Sequence, residues 1–199
     1  MAYHVVFVCV GNRARSVFAQ FFFSKMLAEK DANLVGKVKP LSAGFVPQKL
    51  KDQLSKANIA FPEPFFNREM AGITRKALVG RGIAVPDEWK SKELTSDMVK
   101  GSDLIVTVLP DQKEELIGLF PETRDRIFTI KELAEWDDDG CLIFEDYERP
   151  PLDDAYWHFV DEDTSYASKI VSAMEEGLIR AYPRLLQEIG VEISSDNRE

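Results

Sequence analysis

The residues best suited to chemistry lie together near one end of the chain, in "CVGNRARS", Cys9 to Ser16. A cysteine is followed by glycine and asparagine, then by arginine and serine, directly after an apolar run and directly before a second one. A loop between a strand end and a helix start aims backbone N–H groups into a concavity, and the helix N-terminus adds positive potential. Arg15 adds a planar fork that suits a phosphate or another tetrahedral oxyanion. Gly11 is expected to supply backbone geometry that a residue with a Cβ resists. The same field favours the thiolate of Cys9 over its thiol, so a loop that binds an anion also prepares a nucleophile. Ser16 can donate to that thiolate, and the Asn12 side chain can brace the loop. The amides of Val10 to Ser16, Ala14 and Arg13 included, would line the anion site. A lone cysteine here would read as a small buried apolar residue. Its company at this spacing points instead to an oxyanion site.

Elements of definite kinds must surround such a loop. "YHVVFVC", Tyr3 to Cys9, is rich in Val and Phe and short, which reads as a central strand buried on both faces. The stretch after the loop places Phe18, Phe22 and Met26, with Ala19, Phe23 and Leu27, in a wide apolar stripe on a helix. Further strands are expected at Lys37 to Gly44, Ser102 to Pro110 and Arg126 to Ile130. Helices are expected at Ile73 to Arg81, Thr95 to Lys100 and Gln112 to Leu119. A last helix should begin near Asp163 or Thr164 and carry Ile170, Met174, Leu178, Ala181 and Leu185 inward, with Pro183 kinking or splitting it. Strands alternating with helices indicate an α/β fold with a mainly parallel sheet. Residues 45–71 fit this alternation poorly. They read either as an inserted lid or partner surface, or as an ordinary helix and loop.

The chain of 199 residues suggests one domain, over residues 1–193, with a frayed tail at 194–199. Its longest apolar runs are far short of the roughly 20 residues of a spanning helix, and no secretory signal is evident, so a cytoplasmic location without membrane contact is expected. Cys9 and Cys141 lie too far apart for a zinc cluster or a disulfide framework. A net charge of −9 argues against nucleic acid as a partner. The charge is also unevenly spread. Met1 to Ala28 holds three basic residues and no acidic one, whereas Asp137 to Asp163 holds eleven acidic residues and one basic one. The first segment would welcome an anion, and the second could supply a proton donor.

"VFVCVGNRARSVFAQ" resembles the active-site segment of the low-molecular-weight protein tyrosine phosphatases, whose fold and loop are shared by thioredoxin-coupled arsenate reductases. Cys9, Gly11, Asn12, Arg15 and Ser16 fall on the family's motif positions; "LSAG", Leu41 to Gly44, and "SDLIVTV" resemble its second and a later core strand. The resemblance implies one three-layer domain, with a four-stranded sheet between helices. It implies a cysteine-dependent phosphomonoesterase that needs no metal or organic cofactor. The substrate would be a phosphotyrosyl protein or a small aryl phosphate, and a phosphate or sulfate ion would occupy the loop. The family's catalytic aspartate lies in an Asp-Pro-aromatic segment. Here "PPLDDAYWH" matches it with Asp154, Ala155 and Tyr156, alanine standing for proline. Asp154 is thus the implied proton donor, with Asp153 as the runner-up, and Tyr156 and Trp157 would wall the entrance.

Two departures shape the alternatives. Ala14 occupies a position that is often a second cysteine in the family, which removes one form of redox switching and weakens an arsenate-reductase reading. Arg13 stands at a loop position that is often apolar, where it is expected to face the mouth and favour a substrate with extra negative charge. Ala155, Arg13 and residues 45–71 also leave open a phosphate-binding or interaction protein with little turnover. His4, His158 and Cys141 receive no role.

Overall fold

The computed structural model describes residues 2–61, 63–136 and 165–191. Four strands form one parallel sheet: β1 (Tyr3–Cys9), β2 (Val38–Gly44), β3 (Leu104–Thr107) and β4 (Ile127–Thr129), in the order β2-β1-β3-β4. The fold is α/β, as the alternation of patterns indicated. Its central strand is β1, which pairs with β2 from Tyr3↔Val38 to Cys9↔Gly44 and with β3 from Val5↔Leu104 to Val8↔Thr107. Such a strand is covered on both faces, which explains its run of Val and Phe.

The pleat divides β1 between two cores. Val5, Phe7 and Cys9 face one, Val6 and Val8 the other. On the first face lie α1 (Arg15–Lys30), α3 (Gly72–Val79) and the final helix α7 (Ser165–Glu188). On the second face, Val99 of α4 (Ser96–Gly101) and Leu116 of α5 (Pro110–Leu119) pack with Ile105 and Ile127. α2 (Gln48–Lys56) and the one-turn α6 (Ile130–Leu133) complete the helices of the described residues.

α1 is anchored by its aromatic stripe. Phe23 meets Phe7 of β1 edge-to-face at 5.6 Å and Tyr182 of α7 at 5.7 Å, while Phe18 stacks on Phe22. Phe7, Phe18 and Phe23 are fully buried, each worth about 1.5–3 kcal/mol of apolar transfer. This packing sets the direction in which α1 leaves the loop before it.

One expectation needs amendment. Pro183 does not split the last helix, which runs unbroken to Glu188. Pro183 lies on the exposed face, and Ile179, the residue whose carbonyl it leaves without a helical donor, is 48% exposed, so water can take that carbonyl. The amphipathic part of residues 45–71 is an ordinary helix, α2, docked on α5 by a Gln48 N–H to Glu115 bond and a Lys49–Asp111 ion pair. The expected caps Asp163 and Thr164, the tail 194–199, and the roleless Cys141 and His158 lie outside the described residues. No described helix is long and apolar enough to cross a membrane.

Candidate active site

The loop from Cys9 to Ser16 connects the C-terminal end of β1 to the first turn of α1, at the carboxyl end of the parallel strands, where a crevice can open. Arg15 is the first residue of α1 and only 3% exposed. Ser16, fully buried one residue later, places Oγ 3.0 Å from Cys9 Sγ. Cys9 and Ser16 thus meet across seven positions because the strand ends where the helix begins.

Asn12 holds the loop's turn. It adopts a left-handed backbone, φ 51°, which asparagine tolerates better than most residues. Its side chain is used at both ends: Nδ2 donates to Ser16 Oγ at 3.0 Å, and Oδ1 accepts from the Lys92 N–H at 3.0 Å. The expectation that Gly11 supplies the unusual backbone is therefore corrected. Gly11 is not among the residues of positive φ, and a Cβ built there would meet only Phe65 Cζ, at 3.9 Å.

Other glycine geometry matters more. Gly44, the β2 partner of Cys9, lies so close to the loop that a Cβ would sit 2.7 Å from the Val10 carbonyl oxygen, 3.2 Å from Asn12 N and 2.4 Å from Phe66 Cε1. Its N–H donates to the Lys92 carbonyl at 2.8 Å, and its own carbonyl accepts from the Leu94 N–H at 2.8 Å. An extended segment, Ser91 to Leu94, thereby runs beside the end of β2 and reaches Asn12.

Arg13 is half-buried and engaged. Its Nε donates to the Glu69 carbonyl at 2.8 Å, and its own carbonyl accepts from the Ala71 N–H at 2.9 Å. Residues 45–71 thus close against the loop. Phe61, Phe65 and Phe66 form a run of edge-to-face rings, with centroids 5.2 and 4.9 Å apart, beside Gly11 and Gly44.

Of the sequence candidates, Cys9, Val10, Gly11, Asn12, Arg13, Ala14, Arg15 and Ser16 come together in this one loop. Asp153, Asp154, Tyr156 and Trp157 lie outside the described residues. The sequence reading missed Gly44, Phe65, Phe66, Glu69 and Lys92. A glycine ending a strand signalled Gly44, and aromatics beside proline signalled Phe65 and Phe66. Nothing local signals Glu69 or Lys92, which contribute through their backbones. Among the described residues, no group of three His, Cys, Asp or Glu side chains could hold a metal ion.

No family model matches the chain. The chain is similar to a protein-arginine-phosphatase of Bacillus subtilis (strain 168), 28% identical over 128 residues that span 64% of this chain and 70% of the relative. Among solved structures, a mutant of YwlE from Bacillus subtilis superposes with a TM-score of 0.60 at 23% identity, over 92% of this chain and 99% of the other. A protein tyrosine phosphatase from Entamoeba histolytica superposes with a TM-score of 0.63 at 19% identity, over 95% and 99%. A low-molecular-weight protein tyrosine phosphatase from T. tengcongensis does so at 0.55 and 23%, over 90% and 99%. The chain therefore has the fold of the low-molecular-weight protein tyrosine phosphatases, the family that its loop resembles.

Proposed function

We propose that this protein is a cysteine-dependent phosphatase that removes phosphate from a phosphorylated protein side chain or a small aryl phosphate through a phosphocysteine intermediate. The observation that carries the reading is the meeting of Cys9 Sγ and Ser16 Oγ at 3.0 Å, with buried Arg15 between them in sequence at the start of α1. With Asn12 Nδ2 donating to Ser16 Oγ, the serine hydroxyl is held 3.0 Å from sulfur, where it can donate to a Cys9 thiolate and so favour negative charge there.

The chemistry then runs in two displacements. The Cys9 thiolate attacks phosphorus, forming the S–P bond as the bond to the leaving group breaks. Loop amides and the Arg15 guanidinium hold the three equatorial oxygens. Asp154 gives its proton to the leaving atom. In the second step Asp154 takes a proton from water as the water oxygen attacks phosphorus, the S–P bond breaks, and phosphate and the thiolate are regenerated. This chemistry uses no metal or organic cofactor. Asp153 is the second candidate for the acid, and Tyr156 and Trp157 would flank the entrance.

The leading substrate reading is phosphotyrosine or an aryl phosphate. Similarity to a protein-arginine-phosphatase favours a second, phosphoarginine. Both present a flat group, a phenyl or a guanidinium, which the faces of Phe65 and Phe66 could accept. The deciding experiment compares kcat/KM on matched phosphotyrosyl and phosphoarginyl peptides, with p-nitrophenyl phosphate as the general substrate, in EDTA. Wild type should hydrolyse p-nitrophenyl phosphate, Cys9→Ser should not, and Asp154→Ala should lose about 10²–10⁴-fold in kcat, the usual worth of a general acid. An inactive wild type at both pH 5 and pH 7 would overturn the reading. Activity that survives Cys9→Ser would overturn the mechanism.

A further inference from the structure

Arg13 occupies the middle of the loop, and its Nε and its carbonyl bond to Glu69 and Ala71. Glu69 belongs to a short ladder, and Ala71 follows two residues later at the start of α3. The Asn67 N–H donates to the Ser91 carbonyl, the Ser91 N–H to the Arg68 carbonyl, and the Arg68 N–H to Ser91 Oγ, while Glu69 and Lys90 form an antiparallel bridge and an ion pair of 3.2 Å. Asn67, at φ 63°, turns the chain into it. One side of this ladder is bound by Arg13, and the other, through the Lys92 N–H, by Asn12. Two consecutive loop residues therefore grip both strands of the ladder with three hydrogen bonds. Immediately before the ladder come Phe65 and Phe66, and Phe65 Cζ is the atom nearest to a Cβ built on Gly11.

Building on the phosphatase reading, we infer that Arg13 is a positioning residue: its Nε and its carbonyl clamp residues 67–71 to the phosphate loop and so hold Phe65 beside Gly11 as the apolar wall of the pocket. The clamp acts through geometry and needs no charge. A guanidinium chosen to attract acidic substrates needs its cation in the mouth, whereas a clamp needs only an N–H donor at the Nε position. Glutamine has that donor, since its Nε2 stands the same number of bonds from Cα as arginine Nε, and it carries no charge. Arg13→Gln therefore separates the two roles. The wall serves the organic part of a substrate and does little for inorganic phosphate, which the loop amides and Arg15 hold.

The test uses the whole chain as wild type, Arg13→Ala, Arg13→Gln and Phe65→Ala. Hydrogen exchange followed by mass spectrometry reads the clamp in the peptide covering 63–71, with or without hydrolytic activity. Arg13→Ala, which removes the Nε bond and leaves the backbone carbonyl in place, should speed exchange there about tenfold, the upper scale of losing one hydrogen bond, and Arg13→Gln should restore protection to near wild type. In kinetics, Arg13→Ala and Phe65→Ala should each raise KM for p-nitrophenyl phosphate about threefold to tenfold, with a smaller change in kcat and in the Ki of inorganic phosphate; Arg13→Gln should recover most of the loss. Unchanged exchange in Arg13→Ala, or Arg13→Gln tracking Arg13→Ala in both measurements, would overturn the clamp. An inactive wild type would instead remove the phosphatase reading, and the exchange data would still decide the clamp.

Discussion

Replacing Gly44 by alanine adds one methyl group and tests how closely the site is built. Gly44 belongs to β2 and is not among the residues of positive φ, so its backbone accepts alanine and the whole penalty is steric. The new Cβ would lie 2.4 Å from Phe66 Cε1 and 2.7 Å from the Val10 carbonyl oxygen, against roughly 3.5–4.0 Å for ordinary contact between carbon atoms. The Phe66 ring can swing aside, being the far end of a side chain. The Val10 carbonyl cannot move without the loop, and relief requires a shift on the order of 1 Å. Overpacking of this kind costs about 1–3 kcal/mol, and a misplacement of about 1 Å at a reacting centre can cost about 10²-fold in rate. Urea denaturation should therefore show an unfolding free energy lowered by that amount, and p-nitrophenyl phosphate hydrolysis a kcat reduced by one to two orders of magnitude. Gly44→Ala combined with Phe66→Ala should recover only part of the stability, because the carbonyl clash remains. Gly72→Ala is the control: the position lies in the first turn of α3 with nothing within 4 Å of its Cβ, so the same substitution should be neutral or stabilise by up to about 1 kcal/mol. Gly44→Ala within 0.5 kcal/mol of wild type, with undiminished kcat, would refute the close approach of β2 to the loop.

Two further substitutions probe different bonds. Asn12→Ala removes the link between Ser16 and Lys92 and puts a Cβ-bearing residue without a local hydrogen bond at φ 51°; about 2–4 kcal/mol should be lost in urea, and Asn12→Gly should recover about 1 kcal/mol of it by removing the backbone strain alone. Tyr182, on α7, donates to Asp31 at 2.6 Å; burial first, and then the hydrogen bond and charge of Asp31, raise its phenol well above the usual tyrosine range. A raised folded-state pKa contributes stability that is complete below the unfolded value of roughly 10 and is lost as pH rises beyond it. Wild type should therefore lose stability between about pH 9 and 11 more steeply than Tyr182→Phe, which should be less stable at pH 7 by about 1.5–3 kcal/mol; equal slopes would refute the linkage.

The legible part of the site was the part built from neighbours in sequence. Tyr3 to Cys9 is the strand at the residues expected, and Cys9, Asn12, Arg15 and Ser16 meet because a strand, a tight loop and a helix follow without interruption. The later strands were legible as apolar runs between polar segments, although β3 and β4 are shorter than their runs. What could not be read was the support from elsewhere. Arg13 reaches Glu69 across 56 positions and Asn12 is reached by Lys92 across 80, and both bonds end on backbone atoms, which every residue possesses. Composition and periodicity carry no trace of such partners, so residues 45–71 read as an intrusion although they abut the loop.

The pairing of Cys9 with Gly44 links register to chemistry. In a parallel sheet, slipping β2 by one residue against β1 turns every side chain to the opposite face. Here it would also replace Gly44 beside the loop by Ala43 or Phe45, each with a Cβ where the Val10 carbonyl already stands. Leu41, Ala43 and Phe45 face one core, whereas Val38 and Val46 join the other, so the apolar pattern of β2 opposes the slip independently of the loop. Two unrelated forces, burial and the loop's steric demand, therefore select the same alignment. The position of Cys9 Sγ is set as much by what β2 omits at residue 44 as by the strand that carries residue 9.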